Sequence, residues 1–190
     1  MPAPSPSTLI DRVDETDTPV GTVSRSEVFA ERAGFRVVHV FVFNQAGRLL
    51  IQRLGQNRER NALKWGSSVA AYLLSGENYL QGAERRLREE LGLEGRRPAK
   101  FGSVVMPDQG ARKFITLYLA SAEQHEVHRA DPDHIQQLLF WPIANIQARI
   151  EGNRGSFTET FLFLFKFFTA TLRLTGAEEW RGVGLKVPEL

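Results

Sequence analysis

The sequence predicts an α/β protein, and four stretches carry that expectation. Residues 35–43 (FRVVHVFVF) and 48–53 (RLLIQR) are rich in β-branched and aromatic side chains and are separated by a short polar turn, which specifies paired strands in a sheet core. Within residues 71–93, Leu80, Ala83, Leu87 and Leu91 recur every three or four positions, the period of a helix with one buried face. From Thr158 to Ala170 a second helix is expected, since six of the thirteen phenylalanines fall between Phe157 and Phe168.

Composition narrows the classes. At 190 residues the chain can bury a single core. It holds no cysteine, which excludes disulfides, thiolate zinc sites and cysteine nucleophiles and agrees with a reducing, cytoplasmic setting. The net charge of +2 is carried mostly by arginine, a residue suited to bidentate contact with phosphate, so an anionic ligand is admitted. Basic residues are scattered and no reading helix is visible, so no specific nucleic-acid partner is expected. The longest apolar run, residues 161–168, is broken by Lys166 and falls far short of a membrane span.

Taken in order, residues 1–8 are Pro/Ser-rich and read as a flexible arm, not a signal peptide. Residues 9–13 and 20–24 are short strands flanking an acidic turn, and Ser24 or Ser26 is expected to cap a short helix through Arg32. Residues 44–47 close a hairpin between the strands at 35–43 and 48–53. His39, inside the first of these, reads as a core imidazole. Residues 54–64 form a polar loop. It reads equally as a solvated connection or, through Arg58, Arg60 and Lys64, as a basic lip over an anionic substrate, with Trp65 as a stacking surface. Residues 68–74 make a buried strand, and strands at 101–106 and 113–120 are joined by a turn at 108–112. His125, His128, Asp131 and His134 match no zinc spacing and read as a solvated loop. A last strand at 138–141 precedes a helix at 143–150 and a loop at 151–155. The final helix, residues 158–170, is apolar on nearly all sides and must be buried in the core or against a partner subunit, so a homodimer is admitted. Residues 171–190 form a tail.

The helix in residues 71–93 carries the chemistry. Gly76 allows the turn before it, Glu77 and Asn78 open it, and Gly92 follows its last periodic residue, where a left-handed cap is needed. Its outer face holds Arg85, Arg86, Arg88, Glu89 and Glu90. Two adjacent carboxylates at a helix end suit a divalent cation, but the same residues also suit a solvated face of i,i+4 ion pairs.

The spacing is more specific than either reading. Glu77, seven residues, Arg85, then Leu87, Glu89-Glu90, Gly92 and Leu93 resembles the Nudix box. The resemblance extends over roughly residues 9–170, through the hairpin, the loop to Trp65, the FWP run at 140–142 and the SFTETF run at 156–161. The branch it resembles contains the isopentenyl-diphosphate isomerases and the hydrolases most like them. It implies a Nudix-type α/β/α sandwich with a mixed β-sheet between helices. It also implies that the box holds Mg²⁺, or Mn²⁺, against the diphosphate of a phosphorylated small molecule.

Two box positions depart from the pattern. Ala71 replaces the opening glycine, and Arg86 replaces the glutamate that follows Arg85. Isomerase activity is not expected: Ala70 stands where those enzymes need a cysteine, and their metal histidines would fall at Val28, Phe35 and Tyr72. For a hydrolase the resemblance places metal ligands at 86, 89 and 90. Glu89 and Glu90 remain as metal-binding and catalytic residues, with Glu77 as helper. Gly76, Arg85 and Gly92 are structural, Arg85 pairing with Glu77. Arg53, Arg60 and Lys64 are candidate phosphate contacts beside Trp65. Arg86 removes a ligand, reverses its charge and can occupy Glu90, and His134 stands where many members carry a further carboxylate. Two functions follow. One is an Mg²⁺-dependent hydrolase of a nucleoside diphosphate derivative or similar organic pyrophosphate, weakened by Arg86. The other is a Nudix-fold module that binds a nucleotide, a prenyl diphosphate or a protein partner without hydrolysis.

Overall fold

Two strands, β1 (Leu9–Val13) and β2 (Pro19–Ser24), pair antiparallel as a separate ribbon. Asp14 folds the turn between them by accepting the backbone N–H groups of Thr16 and Thr18 at 2.8 and 3.0 Å. The computed structural model describes residues 7–128 and 131–176 of the chain. Residues 1–6 of the expected arm and 177–190 of the expected tail, Trp180 included, lie outside the described residues.

The main sheet is mixed and organised on β3 (Phe35–Phe43) and β4 (Leu49–Leu54). The turn between them is the expected one, Asn44 accepting the backbone N–H groups of Ala46 and Arg48. The long antiparallel pairing expected after it does not form. Only Phe43 and Leu49 pair, and β4 then peels away to lie between β5 (Trp65–Gly66) and β9 (Ile135–Trp141). The vacated edge of β3 is taken by β6 (Val69–Tyr72), antiparallel, while its other edge carries β8 (Ala111–Ser121) in parallel. β7 (Ala99–Asp108) pairs antiparallel with β8 and ends the sheet. Backbone groups freed at the fork still need partners. Ser68 supplies them: its hydroxyl accepts the N–H of Val42 at 2.9 Å and donates to the carbonyl of Leu50.

Alternation along β3 builds the two layers. Val38, Val40 and Val42 face α1 (Tyr79–Leu91), meeting Ala83, Leu87 and Leu91. Phe35, Val37, Phe41 and Phe43 face the opposite layer, formed by Ile146 of α2 (Ile143–Gly152) and Phe161, Phe165 and Phe168 of α3 (Glu159–Thr175). The sandwich expected from the sequence is therefore present, and β3 is apolar throughout because both its faces are covered.

Several local expectations are corrected. Residues 25–32 are consecutive turns, not a helix; Ser24 and Ser26 bond each other at 2.8 Å instead of capping one. Leu80 is 40 % exposed, and Tyr79 packs with the α1 layer instead. α3 runs past residue 170 into the expected tail, and it is not apolar all round, since Glu159, Phe163, Lys166 and Ala170 form an exposed row. No described helix is long and apolar enough to cross a membrane.

His39 is a core residue, with Nδ1 2.8 Å from the Ser67 hydroxyl. Burial, with repulsion from Lys113, lowers its pKa from 6.5 to about 3. A folded-state pKa below the unfolded one makes the neutral ring stabilising above pH 6.5, and this contribution is lost as pH falls toward 3. At pH 5 the expected loss is about 2 kcal/mol. Urea midpoints measured between pH 7 and 5 should show it, and His39→Gln should remove that slope.

Candidate functional site

The turn into α1 is tied down from three sides. Gly76, at φ +78°, gives its N–H to the Asp11 carboxylate at 3.1 Å, and the Ser75 hydroxyl joins it at 2.8 Å. Glu77 accepts the N–H of Leu74 at 2.9 Å. Arg85, two turns along the helix, grips both Glu77 oxygens through Nε at 2.7 Å and Nη2 at 2.8 Å, a bidentate clamp. Asn78 and Gln81 cap the helix reciprocally, and Gly92 closes it at φ +70° with its N–H on the carbonyl of Arg88.

Glu89 and Glu90 are both turned toward arginine. One Glu89 oxygen accepts from Arg85 at 3.1 Å and from Arg86 at 3.0 Å. Arg86 also holds Glu90 through its other nitrogen, and Gln52 of β4 reaches the second Glu90 oxygen at 3.5 Å. This pair is deeply placed, Arg86 being 6 % and Glu90 3 % exposed. Burial pushes the Glu90 carboxyl above its usual range and Arg86 draws it back. Burial likewise opposes charge on Arg86, but Glu90 and Glu89 prevail and keep its guanidinium protonated. Among the described residues, two atoms of the cluster, Nε of Arg86 and Oε1 of Gln52, are buried without a hydrogen-bond partner.

The Mg²⁺ that the resemblance implies does not fit this donor set. The side chain at 86 is a cation, and it occupies oxygens of both glutamates. Among the described residues no group of three or more His, Cys, Asp or Glu is placed to hold a metal ion.

Other residues singled out in the sequence are distributed differently. Arg53 and Trp65 are cross-strand partners, whereas Gln52 points to the opposite face of β4. Arg53 donates to the Leu63 carbonyl at 3.1 Å and lies 5.9 Å over Trp65, which packs at 4.7 Å on Trp141. They are therefore in the α2–α3 layer, not beside Glu90. Arg60 is bound to Asp108 at 2.8 Å and covers Phe29. Lys64 is half-buried, its main chain paired with Asn61 and Leu54. Ala71 lies in β6 opposite Val38, against the α1 layer.

Sequence reasoning missed two members of the cluster and passed over a third. Gln52 gave no signal beyond its inward position in a strand. Asp131, read as part of a solvated loop, is 8 % exposed, orders His134 through a 2.8 Å contact, and its charge is felt at Glu90. Arg58 was only one of several basic residues in its loop, yet it is the one whose charge reaches Glu90 and Asp131. Its loop starts at Gly55, which donates to the His134 carbonyl at 2.8 Å, and a Cβ there would lie 2.7 Å from the Asp133 carbonyl. Gly55→Ala is expected to destabilise the protein by about 1–3 kcal/mol, measured as a lower urea midpoint at unchanged slope. An open cleft of about 610 Å³ lies between the β1–β2 turn and the β7–β8 turn, and none of its lining residues belongs to the α1 cluster.

Residues 34–161 match the NUDIX domain. A protein of Yersinia pestis described as an uncharacterised Nudix hydrolase is 28 % identical over 142 residues, covering 75 % of this chain and 77 % of that protein. An isopentenyl-diphosphate Delta-isomerase of Pectobacterium atrosepticum is 26 % identical over 162 residues, covering 84 % and 90 %. The solved structure of DR0079 from Deinococcus radiodurans superposes at a TM-score of 0.66 with 25 % identity, over 79 % of this chain and 91 % of that one. The NUDIX domain of Shewanella oneidensis NrtR, solved with ADP ribose, gives a TM-score of 0.57 at 16 % identity over 80 % and 100 %, a likeness of fold alone.

Proposed function

The chain belongs to the Nudix hydrolase family, and from that premise we propose that it recognises a nucleoside diphosphate derivative or a similar organic pyrophosphate and hydrolyses it only slowly. The observation that carries this reading is the Arg86 guanidinium between Glu89 and Glu90. Nudix hydrolases generally use divalent metals such as Mg²⁺, and here an arginine faces the carboxylates that such an ion would need. The substrate class is supported by the box itself and by the ADP ribose in the NrtR domain.

The chain's own groups have separable tasks in this reading. Arg85 and Glu77 fix the turn. Asp131 orients the His134 ring. Isomerisation of isopentenyl diphosphate is not part of the proposal, because the chain has no cysteine.

The test is phosphate release from nucleoside diphosphate sugars, dinucleotides and nucleoside triphosphates in Mg²⁺ or Mn²⁺ buffer. Turnover is expected well below the roughly 10 s⁻¹ typical of enzymes, and Glu90→Gln should lower it further. Ordinary enzymatic rates in the wild-type protein would overturn the proposal. Retained binding with no release would favour a pure binding module, the second reading that the same arginine supports.

A further inference from the structure

Arg58 is half-buried in the loop that follows β4. Its backbone N–H is held by the Gly55 carbonyl at 3.3 Å, so the guanidinium projects from an anchored turn. Among the described residues that guanidinium makes no hydrogen bond and no ion pair. Burial pushes its pKa down; of the charges that reach it, Glu90 and Asp131 attract, while Arg25 and Arg86 repel. Neither acid is available as a partner, since Glu90 is held by Arg86 and Asp131 by His134.

A guanidinium withdrawn from water without an anion is unfavourable, and an anion taken from solvent relieves it. Phosphate oxygens match the planar fork of arginine two at a time. In most sites built on paired carboxylates a divalent cation must come first, to cancel the negative charge that would repel a diphosphate. Here both carboxylates already face cations of the same helix, Glu89 pairing with Arg85 and Arg86 and Glu90 with Arg86.

We propose that Arg58 receives a phosphate of the ligand, and that the site takes a diphosphate without a divalent metal because Arg85 and Arg86 already pair with Glu89 and Glu90. This inference rests on the recognition of organic pyrophosphates proposed above; it adds the receptor residue and the independence from metal.

The probe is inorganic pyrophosphate, titrated calorimetrically into the full chain, once in EDTA and once in Mg²⁺. The wild-type protein should bind in both, with Kd values within about threefold of each other. In EDTA, Arg58→Gln should bind at least about tenfold more weakly and Arg58→Lys should recover part of the loss. Arg86→Glu should lose binding in EDTA and regain it when Mg²⁺ is added. Binding by the wild-type protein only in Mg²⁺ would overturn the inference, as would an unchanged Kd in both Arg58 variants. The two proposals fail separately. Rapid hydrolysis of the substrate panel sinks the reading of slow turnover and leaves metal-free binding intact, whereas absent binding in EDTA with slow hydrolysis in Mg²⁺ does the reverse.

Discussion

Arg86→Glu is expected to raise turnover of organic pyrophosphates at least about tenfold, equivalent to about 1.4 kcal/mol of barrier. The substitution puts carboxylates at 86, 89 and 90, positions i, i+3 and i+4 of α1, which share one helix face. Three oxygen donors converging there form the kind of set that a hard divalent cation requires. The variant should also acquire a trait that the wild-type protein lacks. Without metal, three acids on one helix face repel one another, so the melting temperature should fall in EDTA and rise again with Mg²⁺. Activity assays and melts on the same samples check both parts. A variant that melts lower but gains neither turnover nor sensitivity to metal would show that residue 86 is structural only.

Arg86→Ala is expected to cost about 3–5 kcal/mol of stability, the usual result of stranding one member of a buried ion pair. For a domain of this size that corresponds to a melting temperature lower by roughly 6–20 °C. The cost should come chiefly from Glu90, which is 3 % exposed and loses its close cationic partner. Adding Glu90→Gln to Arg86→Ala should therefore restore part of the loss, because a neutral amide tolerates burial far better than an unpaired carboxylate. Thermal melts of the two single variants and the double variant close the cycle. If the double variant melts no higher than Arg86→Ala, the destabilisation lies in lost packing and not in stranded charge.

What the sequence conveyed best was local. Gly92 had to end α1, a helix had to open at Thr158, which the structure makes its N-cap, and the 44–47 turn had to reverse the chain, since each depends on a few neighbouring atoms. The arginine between the acids was also readable, because the i,i+3 and i,i+4 spacing fixes which side chains meet on a helix. The parts that were not readable depend on distant partners. Nothing near β4 announces that it will leave β3; the cue is the Ser68 hydroxyl, which bonds both strands only after the fork exists. Arg53 and Trp65 looked like companions of the carboxylates because they precede the box, but strand alternation sends them to the other layer. Asp131 looked solvated because its surroundings are polar, and only the fold buries its carboxylate, where its charge raises the Glu90 pKa. The predicted helix before Ala33 failed because Ser24 and Ser26 satisfy each other.

The fork has a consequence for how this domain can diverge. β4 acts as a partition one backbone thick: Gln52 belongs to an ionic chamber against α1, and its neighbour Arg53 to an aromatic chamber with Trp65 and Trp141. Charge can therefore be changed on one side without disturbing the ring packing on the other.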